Sequence, residues 1–354
     1  MAILNADVNQ FPTLTWNHLN INRSHAEGEL LKRAELEFNS VNSISFKEIS
    51  SQNKPEALSV KTGLGKEAEA FLDGNSGLMY CFTVKAGASS SEPVKINFDT
   101  QKNEKAFADI VLEAEEGSNS TFIFVIKGNG KEFTASRIRV LMQENAHLHL
   151  ITVNLSGDSK YLEGIGSVVP DNSVFELTEL ELGSSITNLG ILNELAGYKA
   201  SYNGRTAYLV NENRKLDINQ VCVQKGKESL SQFTVDGILM DSASKTWRGT
   251  IDFKNGCAEA KGDEQENVLL LNPEVVNKSL PVILCDEEAV EGRHGCTIGK
   301  MDSENMFYMQ SRGIDENTAK ILLVKAKISA VCRYIPDPDL NNEILSYVEG
   351  VFNK

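Results

Sequence analysis

Apolar and polar residues alternate with a period of two through most of the region from residue 76 to residue 290. Such alternation is typical of strands that turn one face inward and the other outward. One further run in the same region is almost continuously apolar, as expected for a buried strand. The segments concerned are residues 121–126, 136–141, 147–153 and 174–182. The pattern therefore predicts a region built from many short strands.

Glycine and asparagine clusters predict turns between these strands, at residues 128–130, 156–158 and 203–204. A series of short strands is compatible with a β-sandwich, a β-barrel or a β-solenoid. Alternation alone does not choose among the three. No sequence repeat of fixed length is visible, which counts against a solenoid on sequence grounds.

The two flanks of the β region differ from it. Residues 1–75 are polar and mixed, and residues 26–35 and 66–72 within them are expected to be helical. Residues 291–354 are expected to form a helical domain with amphipathic periodicity.

Capping residues divide the C-terminal region into three expected helices. Asp302 or Ser303 would cap the first helix, which would end before Gly313, and Asp315 would cap the second. Prolines at positions 336 and 338 would separate the second helix from the third.

The composition excludes some functions. The chain has 35 Lys and Arg against 49 Asp and Glu, a net charge of −14, which argues against unaided binding to nucleic acid or to an anionic membrane. We expect no signal peptide and no membrane span, since no apolar run approaches the ~20 residues a bilayer requires. The six cysteines lack CxxC spacing, so free thiols in a reducing cytoplasm are expected.

The main candidate for chemistry is His294, one of five histidines, in the run Gly292-Arg293-His294-Gly295-Cys296. Neutral imidazole is a good iron ligand, but a histidine at a strand-to-helix junction can also serve only as a hydrogen-bonding group. In an extended chain Cys296 would face the same side and could share one iron, or it could be a small buried apolar residue. No ATP-binding or catalytic motif is present, so any ATP use must come from a partner.

Other cysteines and histidines are weaker candidates. Cys257 and Cys285 could carry sulfur as a persulfide, although buried structural thiols are the simpler interpretation. His147 and His149 lie two residues apart and could bind a metal as a pair, or could simply belong to a polar, solvated face.

The segment from Gly292 to Ile314 resembles the "sHGAtvG…lFYLrsRGi" signature of the SUF-system iron-sulfur assembly proteins, the SufB/SufD family. Upstream segments resemble further strands of that family in the same order. Glu266 stands where SufB-like scaffolds carry a cysteine, and Arg293 and Gly295 stand where they carry carboxylates beside the histidine. Both departures favour the SufD branch.

The resemblance implies a mainly β fold, with a right-handed parallel β-helix core at residues 76–290. The N-terminal mixed segment (1–75) and the C-terminal helical domain (291–354) would flank this core. His294 and Cys296 would lie at the interface with a SufB-like scaffold, in a heterodimer or homodimer formed through the β-helix. There they would contact a transient iron-sulfur cluster, with His294 as the iron ligand.

The resemblance also implies that the helical domain docks the ABC-type ATPase SufC. Phe307, Tyr308 and Arg312 resemble signature residues of its first helix, with Phe307 expected inward and Arg312 outward. The chain would not be an enzyme in its own right. Two alternatives remain, a SufB-like homodimeric scaffold and a β-solenoid carbohydrate-active enzyme, which would use paired carboxylates.

Overall fold

The structure is a computed structural model that describes residues 2–13, 15, 17–301 and 303–353. Within these residues the strands are β1 (Ala2–Val8), β2 (Ser24–Leu30), β3 (Lys32–Arg33), β4 (Glu37–Phe38), β5 (Ile44–Ser50), β6 (Leu78–Val84), β7 (Val94–Asp99), β8 (Ala106–Ala114), β9 (Asn119–Lys127), β10 (Phe133–Met142), β11 (His147–Asn154), β12 (Lys160–Val169), β13 (Val174–Glu181), β14 (Ile186–Leu195), β15 (Ser201–Val210), β16 (Lys215–Gln224), β17 (Leu230–Leu239), β18 (Ser244–Phe253), β19 (Lys261–Leu270), β20 (Val276–Cys285) and β21 (Glu291–Lys300). The α-helices are α1 (Pro55–Ser59), α2 (Lys66–Asn75), α3 (Ser303–Ser311), α4 (Glu316–Cys332) and α5 (Pro338–Phe352), and short 3-10 helices span Asn17–Leu19 and Ser51–Asn53.

From β6 onward the chain coils into a parallel β-helix of about eight turns. The even-numbered strands from β6 to β20 form one parallel sheet in chain order, and the odd-numbered strands from β7 to β21 form a second. Each turn therefore adds one strand to each sheet. The expected mainly β fold with a parallel β-helix and a C-terminal helical segment is confirmed.

Side chains from every second position of each strand fill the interior of the β-helix. Phe175, Tyr202 and Phe233 occupy successive turns of one sheet, with ring centroids 5.8 Å and 6.2 Å apart. Phe175 is in register with Tyr202, whereas Phe233 is in register with Gly204, which leaves room for the Tyr202 ring beside Phe233. Burial of each such side chain stabilises the fold by about 1.5–3 kcal/mol.

The N-terminal end of the β-helix is covered by the chain itself. Strands β4 and β5 pair antiparallel with β7 and β6, the first strands of the two sheets. The rings of Phe38 and Phe46 pack on Phe82, each with its centroid 5.1 Å from that of Phe82. Among the described residues, these strands and rings therefore cover the first turn of the β-helix at this end.

The N-terminal segment is less helical than its sequence suggested. The helix expected at residues 26–35 is wrong: β2 occupies this region and pairs antiparallel with β1. Gly28, a poor helix former, sits against the ring of Phe133, where no larger residue would fit. The helix expected at residues 66–72 is confirmed as α2, which packs Ala68 and Leu72 on the outer face of the even-numbered sheet.

The C-terminal helices pack on the outer face of the odd-numbered sheet. Val324 and Ile328 of α4 belong to the same apolar cluster as Ile151, Val153 and Leu180. The cap expected at Asp315 is confirmed, since its side chain accepts a hydrogen bond from the Thr318 backbone N–H. The alternative cap Asp302 lies outside the described residues. None of the described helices is both long enough and apolar enough to span a bilayer.

One domain boundary and one turn differ from the sequence expectation. The last strand extends to Lys300, ten residues beyond the core boundary expected at 290, because it pairs along its whole length with β19.

The turn expected at residues 203–204 is wrong, since both lie inside β15. A side chain at Gly204 would contact the Tyr202 hydroxyl and Phe233, so the glycine there accommodates close packing. The chain leaves regular strand at residues 128–130 and 156–158, as expected.

A close approach between successive turns explains another glycine. Gly226 lies at the corner between β16 and β17, and a Cβ there would overlap the backbone of Gly197 in the preceding turn. Gly74 in α2 has open space around it. The two glycines therefore allow a matched comparison.

We expect Gly226→Ala to lower the free energy of unfolding by about 1–3 kcal/mol, because the added methyl group must push two turns apart. Gly74→Ala should raise it by about 0.5–1 kcal/mol, since alanine is the better helix former. Urea unfolding followed by circular dichroism measures both. Equal effects of the two substitutions would contradict the close packing at this corner.

Candidate functional site

The C-terminal end of the β-helix is open. Strands β20 and β21, each ten residues long, are the last strands of their sheets and pair on one side only within the described chain. Ile298 on β21 is in register with Val268, which belongs to the interior core, yet 52% of Ile298 is exposed. The interior therefore continues to the last strand and ends without a cover. Long free strand edges of this kind invite pairing with another chain.

His294 lies on this last strand beside a buried carboxylate. It is in register with Glu264 on β19, and its Nδ1 is 3.9 Å from Oε1 of Glu264. The carboxylate is fully buried, whereas 49% of the histidine side chain is exposed. Burial raises the pKa of Glu264 to about 8. The imidazole thus lies at the boundary between the interior and the open end.

Cys296 lies two register positions further on, beside a buried ion pair. Its Sγ is 3.7 Å from Oε2 of Glu266, whose Oε1 forms an ion pair with Lys245. Both members of the pair are fully buried. Two further hydrogen bonds hold this pair. The Tyr208 hydroxyl donates to Oε1 of Glu266 over 3.2 Å, and Lys245 Nζ donates to Oγ of Ser279 over 3.1 Å.

Burial is the main cause of the shifted pKa of the Cys296 thiol, and the ion pair modifies that shift. Burial raises the pKa of Cys296, the charge of Glu266 raises it further, and Lys245 lowers it in part. Burial also lowers the pKa of Lys245. The thiol is therefore protonated near neutral pH, and a metal or another electrophile would have to displace that proton.

Nitrogen, oxygen and sulfur donors thus meet at one end of the β-helix. Imidazole and thiolate both bind iron, and a carboxylate suits it as well. The 3.9 Å between Glu264 and the His294 ring is longer than a hydrogen bond, so Glu264 adds an oxygen donor beside the imidazole without orienting it. The arrangement of His294, Glu264 and Cys296 is chemically suited to an iron species at the open end.

The structure refines the sequence-based expectations for these residues. His294 lies within β21 and not at a strand-to-helix junction, because the β-helix continues past it. Cys296 is exposed in this chain, so the expectation of a small buried residue is wrong. The two residues pair in register with Glu264 and Glu266, in agreement with the spacing that predicted a shared face. Sequence reasoning missed Glu264 and Lys245.

Within the described residues, the remaining cysteines and histidines form no metal-binding group of three or more ligands. Cys257 is buried as expected, whereas Cys285 is exposed, since β20 is an edge strand. His147 Nε2 contacts Glu176 over 2.9 Å, and His149 Nε2 contacts the Thr178 hydroxyl over the same distance. Each ring therefore has its own partner. Burial lowers the pKa of His149 to about 4.

The first C-terminal helix exposes its signature residues. Phe307 is 73% exposed and Tyr308 57% exposed, so the inward orientation expected for Phe307 is wrong: α3 does not place it against the core. The Arg312 guanidinium lies 5.1 Å from the centre of the Tyr308 ring. Beside them is a mainly apolar groove of about 590 Å³. Its lining includes Leu269, Met301, Met306, Met309, Leu323 and the side chains of Lys300 and Lys327.

Fold and site together define a parallel β-helix protein with potential iron ligands at an uncovered end. Residues 97–327 match the family described as SUF system FeS cluster assembly, SufBD core domain. The chain therefore belongs to the SufB/SufD family of iron-sulfur cluster assembly proteins.

Several curated relatives are SufD proteins. The iron-sulfur cluster assembly protein SufD of Bacillus subtilis (strain 168) is 23% identical over 263 residues, which cover 73% of this chain and 60% of that protein. SufD of Escherichia coli (strain K12) is 24% identical over 306 residues, covering 80% and 69%. SufD of Plasmodium berghei (strain Anka) is 22% identical over 224 residues, covering 58% and 15%. The chain thus spans less than two thirds of the first and third of these relatives. The predicted relationship to the SufD branch is confirmed.

Glu266→Gln tests the electrostatic control of Cys296. The substitution removes a negative charge that raises the pKa of the thiol, so the pKa of Cys296 should fall. Each unit of that fall raises the thiolate fraction about tenfold, and alkylation by iodoacetamide near neutral pH should become several-fold faster. Mass spectrometry of the modified peptide measures the rate.

The exposed Cys285 of the same chain is the internal control for this experiment. Its alkylation rate should be the same in both proteins. Parallel acceleration at both cysteines would indicate general loosening of the last strands and would contradict a specific effect of Glu266.

Proposed function

We propose that this chain is a SufD-like subunit that supports iron-sulfur cluster assembly at an interface with a SufB-like scaffold. The observation that carries the proposal is the open end of the β-helix, where His294, Cys296 and Glu264 lie together. The SufD proteins among its relatives are named for the same process.

Two free edges and an uncovered core make the open end suited to a partner. A second β-helix that ends in the same way could pair with β20 and β21 and cover Ile298. Such pairing would satisfy the free backbone groups of both edges and bury the apolar interior. A SufB-like scaffold is the partner we propose, since it shares the family fold.

Formation of this interface would enclose the iron ligands. His294 and Cys296 are accessible in the isolated chain and would lose water when a partner covers them. Iron is the cargo in this proposal: His294 would bind it through its exposed imidazole, and Cys296 would release its proton on binding. Lys245 and Glu266, buried behind the thiol, would hold the local charge balance.

The helical segment would dock a SufC-like ABC-type ATPase. The exposed Tyr308 lines the apolar groove, and Lys300 and Lys327 add positive charge to its lining. The Arg312 guanidinium lies near the Tyr308 ring, and the exposed Phe307 is its chain neighbour. An apolar surface with a basic rim suits a partner helix with acidic flanks. We propose that ATP is used by that partner, that the chain is not itself an enzyme, and that it acts in the cytoplasm.

A homodimeric SufB-like scaffold is the second candidate function. Glu266 occupies the position where such scaffolds carry a cysteine, but Cys296 supplies a thiol on the adjacent strand, in register with Glu266. Two copies joined at their open ends would then bring two thiols and two histidines together. A carbohydrate-active enzyme has no comparable support, since Glu264 and Glu266 are buried inside the β-helix.

His294→Ala is the direct test of the proposed iron site. Anaerobic co-expression with SufB-like and SufC-like partners, followed by size-exclusion chromatography, gives the complex, and iron and sulfide are then assayed per complex. We expect the variant to assemble normally while its iron and sulfide fall about tenfold or more, the range typical of altered metal ligation.

His25→Ala is the matched control, because 49% of the His25 side chain is exposed, as in His294, and it lies on β2 away from the open end. Its iron content should equal that of the unaltered complex. Normal cluster content in His294→Ala would contradict the role of His294. Failure of the unaltered chain to bind either partner would contradict the proposed function.

Ile298→Glu tests the interface separately from the iron chemistry. Because Ile298 is half exposed in the isolated chain, a carboxylate there should change the stability of that chain by about 0.5 kcal/mol or less. In a covered interface the same charge would be desolvated, so binding to the scaffold should weaken at least tenfold. Val276→Glu on the other edge strand is a second probe, and Leu322→Glu on α4 is the control outside the interface. Unchanged binding by both edge variants would contradict the proposed surface.

A further inference from the structure

A second polar cluster lies inside the β-helix, away from the open end. Glu163 on β12 and Glu179 and Glu181 on β13 are buried, with relative exposures of 0%, 0% and 2%. One carboxylate oxygen from each lies within 4.8 Å of those of the other two. Since β12 belongs to one sheet and β13 to the other, the cluster bridges the two sheets within one turn.

None of the three glutamates has a cationic partner in the part of the chain that the structure describes. Each receives a hydrogen bond through one oxygen: Ser136 donates to Glu163, Thr152 to Glu179 and Asn154 to Glu181. The other oxygen of each, namely Glu163 Oε2, Glu179 Oε1 and Glu181 Oε1, accepts no hydrogen bond from the described residues. Each of the three clustered glutamates therefore keeps one buried oxygen without a hydrogen bond.

An independent group beside the cluster also lacks a partner. Thr206 on β15 is in register with Glu179 and is 1% exposed. In-register parallel strands place equivalent side chains side by side, about 4.8 Å apart. The hydroxyl of Thr206 thus lies next to Glu179 on the interior face, yet it forms no hydrogen bond. A buried hydroxyl normally finds a partner, so a group at this place would complete its bonding as well.

Three carboxylates at these distances cannot all be ionised in a buried site without a compensating positive charge. Two oxygens as far as 4.8 Å apart can both reach a cation at about 2.4 Å, the distance typical of Ca²⁺, and three can do so when they lie within about 4.2 Å of one another. We propose that Glu163, Glu179 and Glu181, completed by the Thr206 hydroxyl, bind one oxygen-liganded divalent cation of the size of Mn²⁺ or Ca²⁺. The cation would tie the two sheets together in the middle of the β-helix. The proposal does not depend on the proposed function.

The alternative is that the cluster retains protons. Burial raises the pKa of all three glutamates, and the charge of a neighbouring carboxylate adds to the effect at Glu163 and Glu179. Shared protons would then replace the cation. The two states differ in a direct observable, the metal content of the folded chain.

The experiment is refolding of the full chain with and without metal. Because the cluster is enclosed, loading should accompany folding, so the chain is unfolded in urea with EDTA and refolded with Mn²⁺, Ca²⁺ or Zn²⁺. Bound Mn²⁺ is counted by the loss of its free electron paramagnetic resonance signal, and Ca²⁺ and Zn²⁺ by elemental analysis after gel filtration. We expect about one tightly held Mn²⁺ or Ca²⁺ per chain, and a melting temperature higher than that of metal-free protein.

Glu179→Gln and Glu163→Gln are the test variants, since glutamine keeps the shape and the existing hydrogen bond at each position. Glu176→Gln is the matched control: it lies on the same strand but faces outward, where it pairs with Arg205. The test variants should bind at least tenfold less metal and lose the metal-dependent rise in melting temperature, whereas the control should retain both.

Absence of stoichiometric Mn²⁺ and Ca²⁺ from the unaltered chain would overturn the proposal and assign protons to the cluster. Equal metal binding by folded Glu179→Gln or Glu163→Gln would also overturn it. A preference for Zn²⁺ alone would point to thiol or imidazole ligands elsewhere and would have the same consequence. The measurement on the unaltered chain decides the question even if a variant fails to fold.

Discussion

In-register pairing of parallel strands is the constraint on which the rest of this structure depends. It fixes each interior side chain directly against its counterparts one turn before and one turn after. Phe175 and Tyr202 stack for this reason. The same register places Glu264 beside His294 and Glu266 beside Cys296. Interior chemistry in this protein is therefore assembled by register between turns, and residues about thirty positions apart become neighbours.

The same constraint makes the two ends unequal. At the N-terminal end, antiparallel strands reverse the direction of pairing and close both sheets. At the C-terminal end, the chain leaves β21 for α3, and the helices that follow pack on the side of the odd-numbered sheet. The last turn therefore remains available for a partner, and whatever polar residues register places there become part of that surface. His294 and Cys296 are such residues.

Much of this arrangement could be predicted from the sequence, and the failures have physical causes. Alternation located the strands, but the turns vary in length: Lys160 pairs with Ile186, 26 residues on, and Ser244 with Val276, 32 residues on. That variation hides the repeat, so the resemblance to a known family was needed to choose the β-helix. Glu264 was missed because the segment from Lys261 to Glu266 is polar throughout apart from one glycine, and alternation marks no inward face.

The buried ion pair of Lys245 and the three central glutamates both raise the question of why ionisable residues lie inside this β-helix. A buried ion pair such as that of Lys245 and Glu266 contributes little net stability, since the desolvation of both charges offsets their attraction. Stability alone therefore does not account for it, and its place behind an accessible thiol favours a functional account. The central glutamates lack even that compensation. A β-helix can stack apolar residues at every interior position, and most interior positions of this one are apolar. Packing alone would therefore favour apolar residues at the positions of both polar clusters.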